Sequence, residues 1–475
     1  MLELRSNALV LTLLIFFGVP SAILATGPES TEVLSPESHA EEVESVEETA
    51  AEDDGDSEVL EEESEALEEE AETQSPPPPP PAAPRPAGPL SKLEVHGFLT
   101  QAWATTDFVG GRFPGPGGVD PGPTFDELAL GISEDGTFDY RTMALQFRYQ
   151  ISPKDIMVVQ LSSRSLGDSL INDVEEEIEL DWAFYERRLT DNTSLKVGRV
   201  QIPLGIFNEF RDVGTILPFY RPSFVFYREG TFTSETVDGV LLSHVFNPES
   251  DWSIEADVYV GEWDYFEFSP FDSALTIAEN EGYGAQIWLN TPIPGLRFGA
   301  GGHIRETSGG AEGVTRAPGT KNDFDDIYFS IEAALSRFVF RAEYREFTGD
   351  PAPSPLFLGQ DLRATFPFYY AQVGYHFNDK FRVYLQHEVE DGKNSSPALT
   401  RDFDVVFRED TGIAFNYIFN PNLVLKAEYH EVGGEDLTFL PIFGPEGPPV
   451  PRALDPLIKD LEDGNYAIVS LSVSF

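Results

Sequence analysis

Residues 464–475 read GNYAIVSLSVSF, and the folding of this stretch decides the fold of the chain. From Ala467 onward, Ala467, Val469, Leu471, Val473 and Phe475 fall on one face. Ile468, Ser470, Ser472 and Ser474 fall on the other. Alternation with period two marks a β-strand, because successive strand side chains point to opposite sides. One face is apolar and the other mostly small and polar. Such a strand separates an oily environment from a wet one, and it needs partners on both edges.

The same alternation finds partners along residues 90–475. The segments are 92–105, 138–151, 156–166, 178–185, 195–202, 236–246, 252–262, 282–290, 296–305, 326–335, 338–347, 368–377, 381–390, 410–419 and 423–432. In the second, Met143, Leu145, Phe147, Tyr149 and Ile151 oppose Ala144, Gln146, Arg148 and Gln150. In the fourth, Ile178, Leu180, Trp182 and Phe184 oppose Glu179, Asp181, Ala183 and Tyr185. Seven short turns, such as Ser152-Pro153-Lys154-Asp155, alternate with eight longer loops. Within the first long loop, 125–132 reads as a short hairpin arm. With 464–475 the strands number sixteen, and both ends fall on the short-turn side. Short periplasmic turns, long outer loops and an even strand number form the pattern of an outer-membrane barrel. In lipid every backbone N–H and C=O must find a partner within the protein, which a closed sheet provides. The predicted fold is therefore all-β, a transmembrane antiparallel β-barrel of sixteen strands at 90–475. Its lumen is too wide for wall side chains to fill, so it holds water unless a loop plugs it. The 37 Phe and 17 Tyr residues suffice for two interfacial girdles.

The leader is a different material. Arg5 and the apolar run 8–19 read as a signal peptide, 1–25, cleaved after Ala25. The run is too short to span a bilayer as a helix. Residues 26–75 are predicted to be disordered: 29–75 carry 21 acids and no Lys or Arg. Residues 76–89 open with six prolines and read as a polyproline II linker. The chain has no cysteine, hence no disulfide and no lipidated cysteine. Residues 90–475 keep 29 bases against 60 acids, a balance that disfavours nucleic acid as a partner.

The most unusual stretch within the barrel is 198–230, GRVQIPLGIFNEFRDVGTILPFYRPSFVFYREG. It follows the fifth strand with about thirty aromatic-rich residues, and loops this long are usually functional or disordered. The sixteen strands, the loop inserted there and Phe475 at the end resemble Gram-negative porins. The segment Gly198-Arg199-Val200-Gln201-Ile202-Pro203-Leu204-Gly205 resembles the G-R/Q-x-x-x-P-x-G strand end of the phosphate-selective porin group and its uncharacterised relatives. The resemblance implies a constriction loop folded into the channel, a homotrimer, and a C-terminal aromatic signal, Phe475, read by the barrel-assembly machinery. Candidate constriction residues are Glu209, Arg211, Asp212, Arg221 and Arg228. The alternative for Glu209, Arg211 and Asp212 is a salt-bridged loop that merely holds itself together.

The phosphate-selective channels resemble tubes lined by Lys and Arg ladders, and this chain departs from them. By alternation, Arg148, Arg164, Arg187, Lys196, Arg297, Arg305, Arg341, Arg345, Arg382 and Lys426 face the lumen. So do Glu94, Glu177, Glu179, Asp181, Asp238, Glu255, Asp257, Glu332, Glu343, Glu388, Glu390 and Glu428. Phosphate selectivity is therefore not carried over. Excess acid is placed in loops: Asp264, Glu267, Asp272 and Glu279, then Asp323, Asp325 and Asp326, then Asp460, Glu462 and Asp463. An entrance so charged concentrates cations. No spacing fits a calcium loop, so no metal site or cofactor is expected. His244, His303, His376 and His430 are assigned to the lumen face, but no nucleophile accompanies them, so no enzyme is expected. The expected function is passive diffusion of small hydrophilic solutes or ions across the outer membrane, with weak cation preference. The alternative is a structural tether whose leader links the barrel to the cell wall or a periplasmic partner.

Overall fold

The computed structural model describes residues 88–107, 130–133, 135–169, 172, 178–227, 235–269, 274–310, 319–350, 352–354, 360–395, 403–433 and 464–475. All belong to one compact unit, Pro84–Phe475. The predicted signal peptide, the acidic segment, linker residues 76–87 and most of the predicted arm 125–132 lie outside the described residues.

The period-two segments form β1 (Leu93–Thr106), β2 (Thr137–Ser152), β3 (Asp155–Leu166), β4 (Glu179–Thr190), β5 (Thr193–Gln201), β6 (Thr236–Phe246), β7 (Ser253–Ser269) and β8 (Ala274–Asn290). They continue as β9 (Leu296–Gly309), β10 (Asn322–Leu335), β11 (Phe338–Gly349), β12 (Ala352–Ser354), β13 (Gln360–His376), β14 (Phe381–Ser395), β15 (Phe403–Asn420), β16 (Leu423–Gly433) and β17 (Gly464–Ser474). β12 pairs with β13 over three residues only, while β11 pairs with β13 directly. β12 is thus an appendage, and the other sixteen strands make the wall. β1 pairs antiparallel with both β2 and β17, so the sheet closes and has no free edge. The closing ladder runs from Thr106 opposite Tyr466 to Phe98 opposite Ser474. Phe475 then exchanges two further backbone hydrogen bonds with Gly97, each 3.0 Å.

Burial follows the alternation. On β17, Ile468, Ser470 and Ser472 are buried, whereas Val469 and Leu471 are 43% and 42% exposed. Around the wall Leu99, Met143, Val197, Leu242, Val258, Ile287, Ile327, Val373, Leu385 and Phe415 are likewise exposed. Aromatic residues cluster outside near the short turns: Phe338 lies 4.9 Å from Tyr375, Tyr375 4.8 Å from Phe377, and Tyr417 4.9 Å from Phe419. A continuous apolar outer surface of this extent requires lipid, and an aromatic girdle sits at the headgroup level of an outer-membrane barrel. No helix among the described residues is long and apolar enough to cross a membrane. The strands make the crossing, and the barrel resides in the outer membrane.

The structure departs from the simple alternation in three places. First, β4 carries a bulge. Gln160 of β3 lies opposite Trp182, but its neighbour Leu161 lies opposite Leu180. The extra residue, Asp181, shifts the alternation by one. Trp182 and Phe184 therefore face inward and are buried, and Tyr185 faces outward. The same shift turns Arg187 outward, where it pairs with Asp155 at 3.3 Å. Second, Asp238 and His244 share the outward face of β6 with the exposed Val240, Leu242 and Phe246. Asp238 binds Arg199 through two hydrogen bonds, 2.9 and 2.7 Å, on that outer surface. Third, the hairpins β7–β8 and β9–β10 rise further than expected, so Asp264, Glu267, Glu279, Asp323, Asp325 and Asp326 lie in strands rather than loops. Asp264, Glu279 and Asp323 are exposed on the outer wall, above the apolar band. Asp326 points inward and is buried. Asp272, Asp460, Glu462 and Asp463 lie outside the described residues.

Candidate functional site in the lumen

β5 stops at Gln201 because Pro203 has no N–H to continue the ladder. The chain then turns into the barrel. Gly205 adopts φ +60°, and a β-carbon there would stand 2.5 Å from Glu343 Oε1 and 2.8 Å from the Tyr227 hydroxyl. Only glycine fits both the backbone conformation and the space.

From 202 to 227 the loop touches wall after wall. Pro203 O accepts the Tyr328 hydroxyl of β10 at 2.6 Å. Asp212 accepts Gln160 Nε2 of β3 at 3.0 Å. Thr215 reaches Ser474 of β17 at 3.4 Å, and Pro218 O accepts Asn416 Nδ2 of β15 at 3.0 Å. On β16 three successive inward residues hold it: Lys426 Nζ donates to Phe219 O at 2.6 Å, Glu428 accepts Tyr220 N–H at 2.8 Å, and the His430 ring packs on Phe219. The helical turn α1 (Phe224–Tyr227) returns it to β11, where Arg345 Nη1 donates to Phe226 O at 2.8 Å. Leu204, Ile206, Phe207, Leu217, Phe219, Val225 and Phe226 are all buried. An apolar loop in a wet lumen is stable only if it brings its own core and satisfies its backbone on the wall.

This circuit sorts the candidate constriction residues. Arg211 is buried, donating to Asn208 Oδ1 at 3.2 Å and pairing with Glu235 at 3.4 Å. Asp212 is buried beside Arg164, which itself pairs with Glu235 at 3.2 Å. Arg221 is half-buried against the rings of Tyr140, Tyr220 and Phe224. Arg228 lies outside the described residues. Glu209 alone of the described four presents its charge, being exposed while its carbonyl accepts Gln201 Nε2 at 2.8 Å. Its side chain is open to the lumen, and the wall around that lumen partly desolvates it. That enclosure raises its carboxyl above the usual range; Lys196 and Arg297 oppose the rise, and Asp257 and Glu255 add to it.

The lumen charges divide by height. Near the short turns they are half-exposed, apart from Lys426, which the loop covers. Arg148 pairs with Glu94 at 2.8 Å, Glu255 accepts Asn290 Nδ2 at 2.8 Å, and Asp257 accepts Ser243 Oγ at 2.5 Å. Glu332 bridges Arg297 and Arg341 at 2.8 and 2.7 Å, with Arg297 stacked on Trp288 and Arg341 over Phe207. Arg382 is half-buried on β14, two wall strands on from Arg341. Higher up, the charges are buried, with Asp181 half-buried at the bulge. Asp181 accepts Gln160 Nε2 at 2.9 Å, Glu388 accepts Gln386 Nε2 at 3.2 Å, and Arg345 binds Asp326. Glu343 is held by four donors. Glu179 is half-buried at the start of β4, and Glu177 lies outside the described residues. Sequence reasoning missed Tyr227, Tyr370, Asp410 and Arg408 as loop or wall anchors. The one legible signal was Lys426, Glu428 and His430 at alternate positions opposite an aromatic loop.

No family model matches the chain, and no curated protein matches it. Solved structures similar to it include a loop-deleted OmpT of Vibrio cholerae, at 13% identity and TM-score 0.48 over 81% of this chain and 99% of that one. The outer membrane channel DcaP of Acinetobacter baumannii is similar at 10% identity and TM-score 0.47, over 81% and 97%. Salmonella typhi OmpF, solved with daunomycin, is similar at 11% identity and TM-score 0.48, again over 81% and 97%. The chain is similar to these outer-membrane proteins, and its own strand pairings make it a closed sixteen-stranded barrel.

Proposed function

We propose that the barrel is a channel for passive diffusion of small hydrophilic solutes, weakly preferring cations and narrowed by the loop 202–227. The observation that carries this reading is the charged, half-open lumen near the short turns, bounded above by a buried loop that presents one exposed carboxylate, Glu209. A water-filled vestibule with charged walls selects by local field rather than by fit. Around Glu209 stand Glu255, Asp257, Lys196 and Arg297, with Arg341 and Arg382 further round the wall. The four charges around it balance, so the exposed carboxylate that the loop adds, Glu209, sets the sign. Much acid predicted for the entrance lies on the outer wall, which accounts for a weak preference. No catalysis is assigned to the site, and no cofactor or metal.

Phe475 is proposed as the residue read by the barrel-assembly machinery, and assembly as a homotrimer is proposed on the porin resemblance. The leader, with 21 acids and no bases in 29–75, also suits a tether to the cell wall or a basic periplasmic partner. Loss of an envelope phenotype on deleting 26–89, with conductance unchanged, supports that second role.

The test of selectivity is the reversal potential in a KCl gradient across a planar bilayer. Cation preference is expected at neutral pH and should weaken in Glu209→Gln. Because enclosure raises the Glu209 carboxyl, neutralisation begins at higher pH than for a free carboxylate. The preference should therefore fade early as pH drops. Anion preference at neutral pH would refute the charge assignment.

A further inference from the structure

Glu343 stands on the inward face of β11, buried, and its carboxylate takes four hydrogen bonds. Oε1 accepts Ser330 Oγ at 2.5 Å and the Ile206 N–H at 3.0 Å. Oε2 accepts the Tyr370 hydroxyl at 2.7 Å and the Tyr227 hydroxyl. Among the described residues no lysine or arginine forms an ion pair with it. A carboxylate offers about four lone-pair sites, and here all are used by neutral donors.

Two of those donors belong to the loop, and they come from its opposite ends. Ile206 lies where the chain enters the lumen, and Tyr227 ends α1, the last described part of the loop. The Tyr227 hydroxyl also accepts the N–H groups of Ile206 and Phe207, each at 2.8 Å. One carboxylate and one phenol therefore join both stems of the loop to each other and to the wall. Gly205 is packed against both groups, so the backbone is shaped to admit them. Tyr370 and Ser330, by contrast, tie Glu343 only to neighbouring wall strands, β13 and β10.

We propose that Glu343 is the positioning residue of the constriction: it clasps the two stems of the loop and so fixes where Glu209 stands in the lumen. It acts as a fastening rather than as a charge seen by solute. This inference rests on the channel reading for its consequence but on the clasp geometry for its cause. A glutamine of the same shape has one acceptor oxygen and turns an NH₂ donor toward hydroxyl donors, so Glu343→Gln should unfasten the neck.

Two readouts on the full chain test it. The first is single-channel conductance of folded protein. Glu343→Gln and Tyr227→Phe should each replace a single sharp level by higher, flickering levels. The double variant should add little, as expected for two parts of one clasp. Tyr370→Phe should leave the level unchanged, whereas a merely structural role for Glu343 would make both tyrosines count alike. The second readout needs no conductance. The chain has no cysteine, so Glu209→Cys carries a single spin label. Its mobility should rise on adding Glu343→Gln and not on adding Tyr370→Phe. A label that stays as immobile with Glu343→Gln overturns the clasp, whether or not the protein conducts. A label that loosens in a protein without conductance supports the clasp and sinks the channel reading.

Discussion

Replacing Asp326 with alanine should destabilise the folded barrel by about 3–5 kcal/mol, the cost of stripping a buried charge of its partner. Asp326 and Arg345 are both buried, and Arg345 Nε lies 3.0 and 2.9 Å from the two carboxylate oxygens. Nη2 donates to the same carboxylate, Nη1 holds Phe226 O of the loop, and His303 Nε2 stands 3.3 Å from Asp326. Removing the carboxylate leaves a guanidinium desolvated without its main counter-charge and weakens the seat of α1. The pair Arg199–Asp238 is the control. It has the same two-pronged geometry, but it stands opposite the exposed Glu262, at the acidic level above the apolar band, with side chains 40% and 52% exposed to water, so Asp238→Ala should cost under about 1 kcal/mol. Urea midpoints of the two variants in one lipid decide the matter. Equal midpoints would mean that inward burial carries no weight here.

Gly97→Val should impair closure of the barrel. Gly97 exchanges both backbone hydrogen bonds with Phe475, and the Phe475 ring lies over it so closely that any β-carbon would enter the ring's van der Waals envelope. A ring laid across a strand glycine covers exposed backbone and helps pin register. Overpacking of this kind costs about 1–3 kcal/mol, and here it falls on the ladder that closes the sheet. The fraction of refolded protein that shows heat-dependent mobility on gels should drop. Adding Phe475→Ala should restore part of it, because the clash goes with the ring. A double variant that folds no better than Gly97→Val would place the damage elsewhere.

The wall was legible because period-two alternation survives wherever one face meets lipid. All sixteen strands could be placed, and the β17 faces were assigned correctly from Ala467 to Ser474. The reading failed where that signal is degenerate. Trp182 and Phe184 are as apolar as Leu180, so nothing in the sequence marks the bulge at Asp181 that turns them inward. On the tall hairpins the outward residues beyond the lipid are acidic, so Asp264 and Asp323 read as loop. The loop itself was legible as an inserted element, since Pro203 and Gly205 announce a break in β5. The roles of its charges were not. Arg211 and Glu209 look alike in sequence, and only the positions of Glu235 and Asn208 decide that one is fastened and the other meets water. Likewise Glu343 and Glu255 both alternate inward, yet one lies under the loop and the other faces the vestibule.

The central claim is that a water-filled barrel is narrowed by the loop 202–227. Single-channel recording of the full chain beside a variant with 208–221 replaced by a short Gly/Ser link tests it most directly. The account predicts small, uniform steps for the native chain and clearly larger steps for the shortened one, with both barrels folded. Equal conductance in the two, or none in either, would contradict it.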